Sequence, residues 1–461
     1  MDLTRGSKAL PFPKSIRLNT KPWLVVVTAA STLLAGVQML LAAGPETKAP
    51  SPGMATATPA SLSPIPVPDS LAQPRSLKQF GVPLLQTLAE IPTDNPQTPE
   101  KIALGEKLFF EPRLSADGTV ACASCHNPDR AFTDGRPTSV GFKGRVGQRN
   151  APTILNALYN KKQFWDGRSE TLEDQAALPI TNPSEMGQAN LDAAVATLTA
   201  IAEYKEDFQH VFGQDPSGLT LVRAIASYER TLISFDSPFD HFIAGDPNAI
   251  NDAAKRGWTL FNTRGHCNRC HASVNQDATY FTDFRFHNIG IGILRHHVTP
   301  LALQAMQQIK KGDLPVVDRA AIQSDFSVLG RFLLTRKEAD IASFKTPTLR
   351  NVLVTAPYFH DGSMETLWDA MDHYNKGDGV KDPWLDDDMQ PLALTEDEID
   401  DLVEFLASLT SAEYKELGIK ELARQRALSR ISRSQRDTAR AFAPKPPRPK
   451  APELLHDALN P

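Results

Sequence analysis

Cysteine is scarce in this chain, with four in 461 residues. All four fall in two copies of one short pattern, so none is left for a disulfide or a separate thiolate site. Charge of one sign is lacking too. A net charge of −5 gives no global attraction to nucleic acid, and no such partner is expected. Strand-type alternation is scarce, and helical periodicity dominates around both cysteine patterns. The composition is otherwise that of an ordinary soluble protein, apart from an excess of proline.

What is present is Cys122-Ala123-Ser124-Cys125-His126 and Cys267-Asn268-Arg269-Cys270-His271. C-x-x-C-H is the attachment site of a c-type haem: two thiols add across the haem vinyl groups, and the histidine becomes an axial iron ligand. A shared zinc is the rival. Structural zinc pairs lie much closer together, and zinc needs no histidine after each pair. Two covalently bound c-type haems are therefore expected, with His126 and His271 as iron ligands.

The ends of the chain are distinct. Lys14, Arg17 and Lys21 precede an uncharged stretch from Pro22 to Pro45, apolar over Trp23–Ala43. Residues 1–44 read as an export signal, either cleaved or kept as a membrane anchor. A periplasmic location follows, tethered to the inner membrane if the segment is retained. Residues 45–75 read as a Pro/Ala/Ser-rich linker. Residues 411–461 form a basic tail that starts with a helical pattern and ends in a Pro-Lys run. A solvated tail is the favoured reading, and contact with an acidic partner or membrane surface the other.

An internal repeat organises the rest. Gly105-Glu106-Lys107-Leu108-Phe109 precedes the first haem motif and Gly257-Trp258-Thr259-Leu260-Phe261 the second. A glycine that permits close helix approach, with a phenylalanine one turn on, fits the N-terminal helix of a cytochrome c fold. A second block repeats at an offset of 195: Pro152-Thr153 with Pro347-Thr348, Asn156 with Asn351, Phe164 with Phe359, Asp166-Gly167 with Asp361-Gly362, Glu170-Thr171-Leu172 with Glu365-Thr366-Leu367. The second unit carries about 50 extra residues within 275–340, with a helical pattern near Leu301–Ile309. The expectation is a mainly α protein of two cytochrome c-like domains, 76–245 and 246–410, with one haem each.

The same offset separates the two irons. Tyr374 aligns with Pro179. Tyrosine can ligate iron; proline has no donor atom. One haem should be capped on both sides and the other left open. Met371, Met364 and His373 are rival ligands to Tyr374, which could instead be a packing residue. His287, His296, His297 and His266 suit surface or structural roles, and His360, which replaces Trp165 in the repeat, has no assigned one.

The motifs LFFEPRLS, CASCHNPDRAFTDG, GQRNAPTILNALYNKKQFWDGRSETLEDQA and FKTPTLRNVLVTAPYFHDGS resemble those of the bacterial di-haem cytochrome c peroxidase family, including its MauG-type branch. The resemblance runs from about Pro99 to Thr410. It implies that the first haem is peroxidatic, with Gln175 and Glu185 as the pocket glutamine and glutamate. A carboxylate there can carry a proton between the peroxide oxygens, a benefit of about 10²–10⁴-fold. Read without the resemblance, Glu185 is a solvated loop acid. Trp165 becomes the relay between haems, and by residue type alone a buried aromatic. Asn150, Thr355 and Pro357 match the family's calcium site, whose hard oxygen ligands suit Ca²⁺.

Two departures matter. Many members carry a histidine before the R-N-x-P-T block that closes the peroxidatic iron; here the loop reads SVGFKGRVGQRN. The second distal ligand is methionine in ordinary members and tyrosine in the MauG-type branch, which Tyr374 matches. Three functions compete. The first is a peroxidase fed by a small periplasmic cytochrome c or cupredoxin. The second is a MauG-type oxidase that uses peroxide to oxidise tryptophan or tyrosine on a partner protein. The third is a di-haem electron-transfer cytochrome, disfavoured by Pro179, Gln175 and Glu185. Gly265 stands where the MauG type has a surface tryptophan, so that type's named reaction does not transfer. A homodimer is compatible with the family.

Overall fold

The computed structural model describes residues 75–76, 91–271, 280–293, 298–311, 325–377 and 383–437. The expected export segment, and all of the expected linker except Arg75, lie outside the described residues, as do His296 and His297.

The described chain is mainly helical, with four two-residue strands. In order these elements are β1 (Arg75–Ser76), α1 (Pro99–Phe109), α2 (Cys122–Cys125), α3 (Leu172–Thr181), α4 (Leu191–Thr199), α5 (Ala202–Phe212), α6 (Gly218–Glu229), β2 (Leu232–Ile233), α7 (Pro238–Ile243), α8 (Asp252–Asn262), β3 (Phe286–His287), α9 (Val298–Lys311), α10 (Phe332–Thr335), β4 (Phe344–Lys345), α11 (Leu367–Lys376), α12 (Glu396–Ala407) and α13 (Lys415–Asp437). β1 pairs antiparallel with β2, and β3 with β4 in the register Phe286↔Lys345.

Each repeat builds on a close helix crossing. α1 crosses α6 at Gly105, where a Cβ would lie 1.9 Å from the Ala224 carbonyl oxygen. α8 crosses α12 at Gly257, where a Cβ would lie 2.0 Å from the Asp401 carbonyl oxygen. Neither site tolerates a side chain, which is why glycine stands at both. One turn on, Phe109 and Phe261 are fully buried. Each contributes roughly 1.5–3 kcal/mol by burial.

The second block repeats in detail. Thr171 caps α3 by accepting from the Asp174 N–H, and Thr366 caps α11 by accepting from the Asp369 N–H. Asn156 and Asn351 both take left-handed φ, 61° and 58°, as do Phe164 and Phe359, 64° and 69°. Phenylalanine rarely adopts this conformation. Its recurrence shows that the two units turn the same corner.

The extra residues of the second unit form a small core of their own. α9 covers the helical pattern near Leu301, and Ala302, Ala305 and Met306 pack with Val328, Leu329, Phe332 and Leu333. The start of the basic tail departs from the solvated reading. α13 docks on the second unit through Gln425, which is 0% exposed and donates to the Leu353 carbonyl at 3.0 Å. Its Oε1 accepts from the Leu367 N–H at 2.9 Å. A high share of Arg and Lys hid a helix whose inward Gln425 is bonded to the second unit through both ends of its carboxamide.

Candidate functional site: two neighbouring cavities

Each C-x-x-C-H motif opens on a cavity. The first, of 240 Å³, takes its wall from Cys122, Cys125 and His126 on one part, and from Gln175, Pro179 and Glu185 on another. Gln175 and Pro179 are four residues apart on α3, hence on one face. Glu185 lies in the turn after α3, where its N–H donates to the Asn182 carbonyl at 3.0 Å. The loop before the R-N-x-P-T block packs on that turn. The Phe142 N–H donates to the Glu185 carbonyl at 2.6 Å, and Ser139, Gly141 and Gly147 line the cavity. This stretch brings hydroxyl and backbone to the wall, and no imidazole.

The second cavity, of 190 Å³, is lined by Cys267, Cys270, His271, Met371 and Tyr374. Tyr374 comes from α11, the counterpart of α3. Its hydroxyl has no protein partner among the described residues. Burial pushes the phenol up, and the nearby Cys270 and Cys267 thiols act the same way. Of the rival ligands, only Met371 lines this cavity. The His373 Nε2 is engaged by the Ile289 carbonyl at 2.7 Å, and Met364 packs into the hydrophobic core.

The two motif histidines are prepared alike. His126 donates from Nδ1 to the Phe132 carbonyl at 3.1 Å, and His271 from Nδ1 to the Phe281 carbonyl at 2.8 Å. That bond fixes the tautomer and leaves Nε2 as the lone-pair donor, the arrangement of a metal-ligating histidine. Burial lowers both pKa values, so both rings are neutral. Burial also raises Cys125 to about 11 and Cys267 to about 12, so neither is a thiolate. Paired thiols, a neutral oriented histidine and a largely apolar cavity suit a haem at both places.

Trp165 lines both cavities. Its Nε1 donates to the Asn150 carbonyl at 2.9 Å, and its own carbonyl accepts from the Lys345 N–H at 2.6 Å. Asn150 and the pair Thr355 and Pro357, distant in the chain, all line the first cavity. The Asn150 Nδ2 donates to the Arg136 carbonyl at 2.9 Å. His360 is buried, lines the second cavity and stacks on Phe344 at 3.5 Å. His287 sits between Asp386, 2.6 Å from Nδ1, and Asp283, 2.9 Å from Nε2. Burial would lower it, but the two carboxylates push it up to about 12, a structural ion pair.

Sequence reasoning missed two residues. Glu229, at the end of α6, is buried and lines the first cavity, and its Oε2 has no hydrogen-bond partner. Burial pushes its carboxyl up to about 8. Lys345 is buried and lines both cavities. Glu229 had one signal: it follows Tyr228 on the crossing helix as Leu406 follows Phe405, a charged residue against an apolar counterpart.

Two repeated helical units, each closing a thiol- and histidine-lined cavity and joined at one tryptophan, define a di-haem protein of the cytochrome c class. The family described as di-haem cytochrome c peroxidase matches residues 99–248. The methylamine utilization protein MauG of Methylorubrum extorquens is 38% identical over 320 residues, 69% of this chain and 80% of that protein. The cytochrome c551 peroxidase of Nitrosomonas europaea is 35% identical, over 68% of this chain and 81% of its own length. Among solved structures, a MauG-like protein associated with microbial copper homeostasis superposes with a TM-score of 0.58 at 30% identity, over 75% of this chain and 95% of its own. The chain belongs to the di-haem cytochrome c peroxidase family and is a peroxide-dependent di-haem oxidoreductase.

Proposed function

We propose that hydrogen peroxide is reduced in the first cavity, with electrons arriving through the second. The observation that carries this is the contrast at matched positions: Pro179 offers no ligand atom to the first cavity, whereas Tyr374 presents an unpartnered hydroxyl to the second. Each haem is covalently attached, the first through Cys122 and Cys125 and the second through Cys267 and Cys270. His126 and His271 would each offer Nε2 to a haem iron, and Tyr374 would offer its hydroxyl oxygen to the second. The cofactor supplies the two electrons that cleave the peroxide O–O bond.

The chain supplies the rest. Reduction of H₂O₂ to two waters consumes two protons, and a proton must reach the departing oxygen. The Glu185 carboxyl accepts one from the near oxygen and returns it to the far one. The Gln175 carboxamide orients peroxide by hydrogen bonds. Trp165, at the wall of both cavities, passes electrons between them while its indole is held by the Asn150 carbonyl. Burial keeps Tyr374 a phenol, and a bound iron cation would favour its phenolate. An anionic ligand favours oxidised iron. Asn150, Thr355 and Pro357 would offer oxygen atoms to a Ca²⁺. We take the domains as 76–245 and 246–410, with α13 added to the second by its docking there. The enzyme works in the periplasm, with residues 1–44 as its export signal or inner-membrane anchor, and a homodimer is compatible with this reading.

Tyr374 and the histidine-free loop also favour a MauG-type role, in which the oxidising equivalents leave through a partner protein's tryptophan or tyrosine rather than being quenched by a small cytochrome c or cupredoxin. Gly265, at the wall of the second cavity, offers no aromatic exit there. Intact-mass spectrometry tests the foundation. Two haems should be found, one of them lost in Cys122→Ala/Cys125→Ala and the other in Cys267→Ala/Cys270→Ala. A single haem, or zinc, would reverse the proposal.

A further inference from the structure

Five cations are buried among the described residues: Lys101, Arg149, Arg230, Lys345 and Arg350. Four of them have polar partners. Lys101 donates to Asn95 Oδ1 at 3.0 Å and to the Pro96 carbonyl at 2.6 Å. Arg149 pairs with Asp166 at 2.6 Å, Arg230 with Glu173 at 2.7 Å and Arg350 with Asp240 at 2.8 Å. Lys345 is the exception. Among the described residues its Nζ has neither a hydrogen bond nor an ion pair, and burial alone acts on it, bringing the ammonium down to about 8.

A buried ammonium without a counter-charge is strongly unfavourable, and proteins either neutralise it or pair it. The position of Lys345 says which. It stands on β4, fixed by the pairing with β3 and by its N–H bond to the Trp165 carbonyl. Lys345 lines the wall of the first cavity and of the second. Both walls are otherwise largely apolar, and both cavities are built for a group whose only anionic atoms are carboxylates at one edge.

We propose that Lys345 is the seat of a haem propionate at the junction of the two cavities. The inference rests on the reading that both cavities hold haem. The ammonium donates to the propionate, and the pair anchors that porphyrin edge beside Trp165. A fixed positive charge there stabilises the reduced iron relative to the oxidised one, so Lys345 also raises the reduction potential of the haem it holds.

The test uses the holoenzyme with Lys345→Met, which keeps length and removes charge, and Lys345→Arg, which keeps charge. Haem content by mass, the propionate bending modes in resonance Raman spectra and the midpoint potentials by spectroelectrochemistry are read on both variants. The expected result is two haems, a displaced propionate mode and a lowered potential for one haem in K345M, with both signals near wild type in K345R. Unchanged modes and potentials in a fully loaded K345M overturn the assignment. Should K345M not accumulate with haem, K345R decides: a retained mode supports the ion pair and a displaced one overturns it. A wild-type protein without two haems fails the earlier reading of the cavities, and the two failures are thereby told apart.

Discussion

The two cavities are made by the same repeat and differ at matched places, three of which bear on function. α3 gives Pro179 where α11 gives Tyr374. α6 gives Glu229 where α12 gives Leu406, and Ile225 and Leu402, one turn earlier, line their cavities alike. The Trp165 position, shared at the junction, is His360 in the second unit. Helix crossings, caps and histidine tautomers are common to both. The scaffold therefore fixes where a haem sits, and a few side chains decide what it does. At these matched positions the first cavity has Pro179, which offers no ligand atom, and the Glu229 carboxyl, whereas the second has the Tyr374 phenol and the apolar Leu406.

The largest break in this comparison is at the acid. Glu185→Gln keeps size and hydrogen bonding but cannot carry a proton. Both haems should load normally, while peroxide turnover falls by about 10²-fold or more. Steady-state assay with a reduced electron donor checks it, and wild-type rates would return Glu185 to a loop acid.

A smaller effect is expected from the other side. Tyr374→Phe removes one oxygen from the second cavity and nothing from the first. The oxidised wild-type enzyme should show one high-spin and one low-spin haem by EPR, and should react with peroxide without prior reduction, since no loop imidazole lines the first cavity. In Y374F only the low-spin signal should change. An unaltered low-spin signal would move the ligand to Met371, the remaining rival at that wall.

Much of this comparison was legible in the sequence. Cys122, Cys125, His126 and their counterparts announce the cavities, and the offset that pairs Pro179 with Tyr374 is visible before any fold is known. Gly105 and Gly257 announce the crossings because a glycine one turn before a buried phenylalanine has few other uses. Lys345 was not legible, and Glu229 showed only as a charge where the matched helix has Leu406. A charge in a helix or strand is usually solvated, so sequence offers no reason to bury it. Their burial is a tertiary consequence of cavities meant for a group the chain does not encode. The docking of α13 was hidden for a related reason: its Arg and Lys content describes the outer face, while Gln425, Ser429 and Leu417 mark the inner one.

The smallest expected effect comes from making the first cavity resemble the second at α6. Glu229 is a buried carboxyl whose Oε2 has no partner, a costly state that Leu406 avoids at the matched position. Its pKa is raised by burial from 4.5 to about 8 in the folded protein. The folded state thus holds a proton that the unfolded state releases above about 4.5. With a raised folded pKa, the contribution to stability is fully present below 4.5 and is lost as pH rises through about 8. Wild-type stability should therefore fall across that window, with a slope of at most about 1.4 kcal/mol per pH unit from this group. Glu229→Leu removes the titration, so its stability should change less between the two ends of the window. Denaturant unfolding of the two holoproteins at the acid and alkaline ends measures this. Parallel pH dependence in both would mean that Glu229 is ionised in the folded protein and finds a cationic partner once the cavity is filled.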